Sequence, residues 1–152
     1  MRRTVIIGGG AAGMTAAIVA AGEGDRVTVL EHTDTLGKKL LSTGNGRCNL
    51  TNRRQGEEFY HSENPGFFLP ALERFGFDET LRFFGELGLF FRERDGYVYP
   101  RSSQASTVRE ALLSELSRRK AEVRTACVVR EVKQEADGAF FVFTEETSFQ
   151  AE

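Results

Sequence analysis

Val5-Ile6-Ile7-Gly8-Gly9-Gly10-Ala11-Ala12-Gly13, answered further on by Val27-Thr28-Val29-Leu30-Glu31, decides the fold of this 152-residue chain. The first apolar run predicts a strand of a parallel sheet. Gly8, Gly10 and Gly13 then occupy the three glycine positions of G-x-G-x-x-G, each with its own physical task. Gly8 lets the chain turn sharply out of the strand. Gly10 has no Cβ, so a pyrophosphate can approach the backbone. Gly13 lets the next helix pack close to the sheet. Ala11 and Ala12 open that helix, whose free N–H groups and partial positive charge face the phosphates. Ala17, Ala20 and Gly24 continue a small-residue face. Glu31 ends the second run 18 residues after Gly13, near the roughly 20-residue spacing expected of an acid that accepts hydrogen bonds from ribose hydroxyls. Residues 4–31 therefore predict a dinucleotide-binding βαβ unit. Arg2-Arg3 before an apolar stretch also fits a secretory leader, but the glycines between Gly8 and Gly24 suit a leader core poorly.

Size and composition are those of one soluble globular domain, with 40% hydrophobic and 28% charged residues. The net charge of −2 gives no overall attraction to nucleic acid or anionic membrane. No apolar run approaches the ~20 residues that span a bilayer. The two cysteines, Cys48 and Cys127, make no disulfide framework and fit a reducing cytoplasm. Thirteen phenylalanines, several in pairs such as Phe67-Phe68 and Phe90-Phe91, accompany no tryptophan, so some of them are expected on surface that a further part of the fold covers.

Residues 32–65 are polar and glycine-rich and predict one long loop, a length that usually signals function. Two short helices follow over 66–75 and 78–88, with Asp78 as N-cap of the second and Gly88 near its end. Asp95-Gly96 predicts a hairpin turn between Phe90-Phe91 and Tyr97-Val98-Tyr99, ended by Pro100. Thr107 and Glu110 form a capping-box pair for a helix to about Lys120, with Val108, Leu112 and Leu116 on one face. Glu122 to Val132 is expected to contain a strand, and Ala139 to Thr144 another, joined through Asp137-Gly138. Phe149 to Glu152 begins a further strand without room to complete it.

Within the loop, Lys38-Lys39 and then Gly44-Asn45-Gly46-Arg47-Cys48-Asn49-Leu50-Thr51-Asn52 form a second constellation. Glycines expose backbone N–H groups. Arg47 offers a fork for phosphate or carboxylate, and Asn49, Thr51 and Asn52 can bond sugar or ring atoms. Physics alone leaves a solvated loop equally open.

The segment Gly44 to Asn52 resembles the G-x-G-R-C-N-x-T-N signature of the BaiN-like NAD(P)/FAD-dependent oxidoreductases. The preceding Gly37-Lys38-Lys39-Leu40 is similar to that family, as is Gly96 to Ser102 with Ala105-Ser106 and the helix after it. The resemblance covers essentially the whole chain. It implies an α/β fold: a Rossmann-like FAD-binding domain with a parallel sheet plus a small β-hairpin or meander. It also implies FAD as cofactor, NADH or NADPH as electron donor, and a small organic substrate. By position, it places Gly8, Gly10 and Gly13, with Ala11 and Ala12, at the pyrophosphate. Glu31, with His32 beside it, falls at the adenosine ribose. Lys38 and Lys39 correspond to a cofactor-proximal basic site. Gly44, Gly46, Arg47, Cys48, Asn49 and Thr51 lie in the segment near the flavin. Val129 corresponds to a strand whose backbone meets the adenine.

Family chains continue into a strand leading to an A-T-G-G segment, an inserted β-rich domain and a C-terminal stretch that completes the FAD site. Residues 1–152 are thus expected to be the N-terminal part of an FAD/NAD(P)-binding domain, C-terminally truncated, lacking the rest of its own fold and inactive alone. Cys48 is read as a small packed residue rather than a redox thiol, since no C-x-x-C pair exists. His32 and His61 are isolated, so no metal site is expected. Two other readings share the βαβ start: an NAD-dependent dehydrogenase domain, against which the long loop argues, and a nucleotide-binding module without turnover.

Overall fold

The computed structural model describes residues 1–64 and 66–152, so Pro65, at the end of the expected loop, lies outside the described residues. In chain order the first elements are β1 (Arg3–Ile7), α1 (Ala11–Gly22), β2 (Arg26–Leu30) and β3 (Thr51–Asn52). There follow α2 (Leu69–Arg74), α3 (Phe77–Glu86), β4 (Phe91–Arg94), β5 (Tyr97–Pro100) and α4 (Ala105–Arg118). The last four are β6 (Glu122–Arg124), β7 (Val129–Gln134), β8 (Phe140–Thr144) and β9 (Ser148–Ala151). They form two compact units, Met1–Leu40 with Leu112–Glu152, and Leu41–Ala111.

The first unit is Rossmann-like. β1 and β2 pair in parallel from Arg3↔Arg26 to Ile7↔Leu30, as the two apolar runs predict. β6 joins the other edge of β2, also parallel, from Thr28↔Glu122 to Leu30↔Arg124. The central strand β2 buries Val27, Thr28, Val29 and Leu30 in succession, the near-continuous burial expected of a parallel strand covered on both faces. α1 buries Met14, Ala17 and Ile18. It ends in a Schellman motif: Asp25 N–H bonds Ala20 O, Gly24 N–H bonds Ala21 O, and Gly24 supplies the left-handed residue at φ +92°. Leu112 and Leu116 of α4 complete the core.

The same unit carries an antiparallel meander, β7-β8-β9, with a bulge between Val129 and Glu131. The span Glu122 to Val132, expected to contain a strand, holds β6 and the start of β7. The break has a tertiary cause. The amides of Ala126 and Cys127 bond the carbonyls of Thr33 and Glu31, at 2.7 and 2.8 Å, which pulls Thr125–Val128 out of both sheets. The chain end also differs from expectation, because Ser148–Ala151 forms a full strand against β8.

In the second unit, β5 is central between β3 and β4. The hairpin of β4 and β5 turns at Asp95 (φ 54°) and Gly96 (φ 86°), both left-handed as a type I′ turn requires. The expected loop is interrupted by β3, paired at Thr51↔Val98, and by 3-10 turns at Lys39–Ser42 and Glu57–Phe59. Asp78 is not the N-cap of α3. Gly76 holds that place, its N–H bonding Glu79 Oε2 at 3.1 Å, so the acid three residues into the helix closes the end. Gly88 ends α3 as expected, in a second Schellman motif through Leu89 N–H to Phe84 O. α4 begins at Ala105, which puts Thr107 in its first turn rather than at the cap. Val108, Leu112 and Leu116 are all buried, as the apolar spacing predicts.

Candidate functional site

The glycine turn is built from the strand outward. Gly8 N–H bonds Leu30 O at 2.8 Å, continuing the β1–β2 ladder by one step, and Gly8 takes φ +100°. Gly10 is the N-cap of α1, at φ −73° and ψ −175°. Met14 N–H bonds Gly10 O at 2.9 Å, so the N–H groups of Ala11, Ala12 and Gly13 are first-turn donors without a helical acceptor. Gly10, Ala11 and Ala12 are exposed.

The three fingerprint glycines are constrained differently. A Cβ on Gly13 would lie 1.9 Å from Gly8 O, so the helix meets the turn too closely for any side chain. A Cβ on Gly10 would meet nothing within 4 Å, and its φ is ordinary for any residue. The chain's own packing therefore does not require glycine at position 10, and the open volume lies over the helix N-terminus.

Glu31 follows β2 directly and is buried. Its Oε2 accepts the Gly9 N–H at 2.7 Å and its Oε1 the Thr33 N–H at 2.8 Å. Burial pushes its carboxyl upward, but the backbone N–H groups of Thr33 and Gly9 outweigh burial and hold it below the ordinary glutamate value. His32 is exposed, with Nδ1 3.0 Å from Glu31 Oε1. Lys38 is exposed and pairs with Asp34 at 3.4 Å, and Lys39 starts the 3-10 turn. Val129 opens β7 opposite Thr144, whereas the backbone partners of Glu31 are Arg124, whose carbonyl accepts its N–H, and Cys127, whose N–H bonds its carbonyl. Nothing in the sequence marked those two.

In the second unit the signature segment is an unusual run of left-handed residues: Gly44 (φ 56°), Asn45 (φ 55°), Gly46 (φ 78°) and Cys48 (φ 58°). Gly44 has no room for a side chain, since its Cβ would lie 2.8 Å from Asn49 N. Cys48 N–H bonds Thr43 O, and Ala105 N–H bonds Gly46 O at 2.8 Å. The Arg47 Nε donates to Gly44 O at 3.2 Å, and its guanidinium sits 5.3 Å from the Tyr99 ring centre. With the Asn49 amide assigned so that its nitrogen faces two carbonyls, it donates to Thr51 O and Val98 O, at 2.9 and 3.2 Å, and Thr51 Oγ1 accepts from Gln55. Asn49 and Thr51 thus fasten the loop to β5. Cys48 is buried and burial pushes its thiol up, against a smaller opposing effect of Thr43, which fits a packed residue.

Among the described residues no group of three His, Cys, Asp or Glu could hold a metal ion, and no helix is long and apolar enough to cross a membrane.

Comparison with known proteins agrees with this geometry. The chain is 51% identical over 140 residues to a 3-dehydro-bile acid delta(4,6)-reductase of Clostridium scindens, covering 91% of this chain and 34% of the reductase. It is 36% identical over 91 residues to a ribosomal RNA dihydrouridine synthase of Haemophilus influenzae, covering 60% of this chain and 23% of the synthase. The chain thus spans about a third or less of the length of these curated relatives. Among solved structures, a 3-ketosteroid-delta4-(5alpha)-dehydrogenase of Rhodococcus jostii RHA1 superposes with a TM-score of 0.69 at 13% identity, over 98% of this chain and 43% of the dehydrogenase, a likeness of fold. The model of the HI0933-like protein Rossmann domain matches residues 2–152, and the chain belongs to that family.

Proposed function

We propose that this chain carries the pyrophosphate- and adenosine-binding part of an FAD site in an oxidoreductase that draws electrons from NADH or NADPH and acts on a small organic substrate. The observation that carries the reading is Gly10. Neither its backbone nor its neighbours require glycine, yet it borders open volume at the N-terminus of α1, where a pyrophosphate needs the missing Cβ.

Gly8 and Gly13 shape the turn, and the first-turn amides of α1 bind the phosphates. Glu31 holds the ribose with the lone pairs left after Gly9 and Thr33 are served. Bound FAD supplies hydride chemistry, and the protein's contribution is to hold it and shape its surroundings. The bile acid reductase relative supports a small, largely apolar substrate, and the net charge of −2 gives no general affinity for RNA. The 152 residues by themselves bind FAD weakly and do not turn over, because the adenosine side is only part of the contact such a cofactor makes.

A titration of the chain with FAD, read by flavin fluorescence, tests the cofactor. Saturable quenching supports a flavin, and saturable binding of NAD alone favours a dehydrogenase domain. Saturable binding of an rRNA fragment at physiological salt, absent for steroid acids, would move the substrate reading to RNA.

A further inference from the structure

Arg53 and Arg54 are neighbours in the sequence with different surroundings. The Arg53 guanidinium grips Glu93, Nη2 to Oε2 at 2.6 Å and Nε to Oε1 at 3.0 Å, and lies 4.5 Å from the centre of the Phe77 ring. Its cation is spent within the second unit. Arg54 is held at its backbone, where its N–H donates to Asn52 Oδ1 at 2.9 Å. Among the described residues its guanidinium has neither a hydrogen-bond nor an ion-pair partner.

Arg54 borders a cavity of about 380 Å³, lined also by Asn52, Phe59, Tyr60, Asp95 and Tyr97, all within the second unit. That volume is of the order of small-molecule sites, roughly 300–1,000 Å³. The fold holds its aromatic walls in place. Tyr97 opens β5, paired with Asn52 of β3 on one side and Arg94 of β4 on the other. Tyr60 stacks on Phe68 with ring centres 3.8 Å apart. Phe59, Tyr60 and Tyr97 nonetheless remain exposed, so ring surface faces solvent in a concave place. Asp95 pairs with Arg94 at 3.6 Å.

We propose that this cavity binds the carboxylate end of a ring-bearing organic acid, with Arg54 as the anion-binding residue and Phe59, Tyr60 and Tyr97 as the walls against the ring. A guanidinium fork fits a carboxylate through two parallel N–H···O bonds. One free cation, with the Asp95 carboxylate on the same rim, suits a singly charged acid better than a phosphate. The Asn52 amide nitrogen can donate to a further oxygen, since its oxygen already serves the Arg54 N–H. The proposal rests on the oxidoreductase reading above only in taking the bound acid as its substrate.

The test titrates the full chain with cholate below its micellar concentration, and with the uncharged methyl ester of cholate. Two of the three tyrosines line the cavity and the chain has no tryptophan, so tyrosine emission reports occupancy and amide shifts locate it. The expected shifts saturate and centre on Asn52, Arg54, Phe59, Tyr60 and Tyr97. The parent binds the acid about tenfold or more tighter than the ester. In Arg54→Gln that preference falls to within about twofold, while ester binding stays as in the parent. Phe59→Ala weakens acid and ester alike. Equal affinity for acid and ester in the parent, which requires no variant, would overturn the proposal. So would a preference that survives Arg54→Gln, or uridine monophosphate shifting these residues where cholate does not. FAD, titrated separately, distinguishes the two readings. Shifts at Gly8 to Gly13 with FAD but none with cholate would overturn the acid site and leave the cofactor reading intact. Cholate binding without any FAD response would uphold the acid site and overturn its role as a substrate site.

Discussion

Replacing Glu31 by glutamine changes one atom and separates the two tasks assigned to this side chain. In the parent, two carboxylate oxygens each accept a backbone N–H, from Gly9 at 2.7 Å and from Thr33 at 2.8 Å. Glutamine retains one oxygen and turns a donor NH2 toward the other N–H, in a buried place. One hydrogen bond to a charged acceptor is lost, about 2 kcal/mol, and the orphaned N–H adds to the cost. For a chain of this size that corresponds to a fall in Tm of about 4–8 °C. The pH dependence carries a sign. The folded carboxyl titrates below the unfolded one, so its stabilisation is complete above the ordinary glutamate range and is lost as pH falls through the lowered folded value. Glu31→Gln removes that part of the acid limb, and parent and variant converge in acid. Thermal unfolding by circular dichroism across pH 3–7 reads both effects. The same variant weakens FAD about tenfold without altering the flavin spectrum, because the ribose is far from the chromophore. Equal Tm at neutral pH, or an unchanged gap between the two proteins on acidification, would refute the assignment of Glu31 as the charged acceptor of the turn.

Other substitutions probe the remaining parts of the site. Gly13→Ala forces a methyl into Gly8 O and is expected to cost 3 kcal/mol or more, roughly, or to prevent folding, which a denaturant melt would reveal. Gly10→Val, whose side chain enters open space, keeps Tm within about 4 °C yet abolishes FAD binding, and retained binding would contradict the pyrophosphate assignment. A thiol reagent applied to the native chain labels Cys127, which is half-buried, before the buried Cys48, and mass spectrometry of the peptides gives the order. Gly96→Val strains the type I′ turn and crowds Asn52 Oδ1, 3.0 Å from its Cβ position, so Tm falls by several degrees, about 4 °C or more.

Much of the first unit was legible because its constraints are local. Glycine spacing, two apolar runs and a terminal acid define β1, α1, β2 and Glu31, and each falls where the pattern puts it. The Asp95-Gly96 turn is equally local, since both residues must be left-handed. What escaped the sequence depends on distant partners. β3 is only two residues long and exists because β5 offers Val98 and Tyr97. The break between β6 and β7 depends on carbonyls of Glu31 and Thr33 some ninety residues earlier. Asp78 reads as a cap, but Glu79 reaches back to Gly76 and moves the helix start forward. At the site, the fingerprint marks Gly8, Gly10 and Gly13 and is silent on Arg124 and Cys127, whose backbone meets that of Glu31.

The central claim is that the open volume over the N-terminus of α1 takes a dinucleotide pyrophosphate. Its most direct test is a titration of the isotope-labelled chain with FAD, with Gly10→Val as the paired control. The account predicts weak, saturable shifts concentrated at Gly8 to Gly13 and Glu31 to Thr33, and none in Gly10→Val, whose Tm stays within about 4 °C. Shifts elsewhere, no response in the parent, or an equal response in Gly10→Val would contradict it.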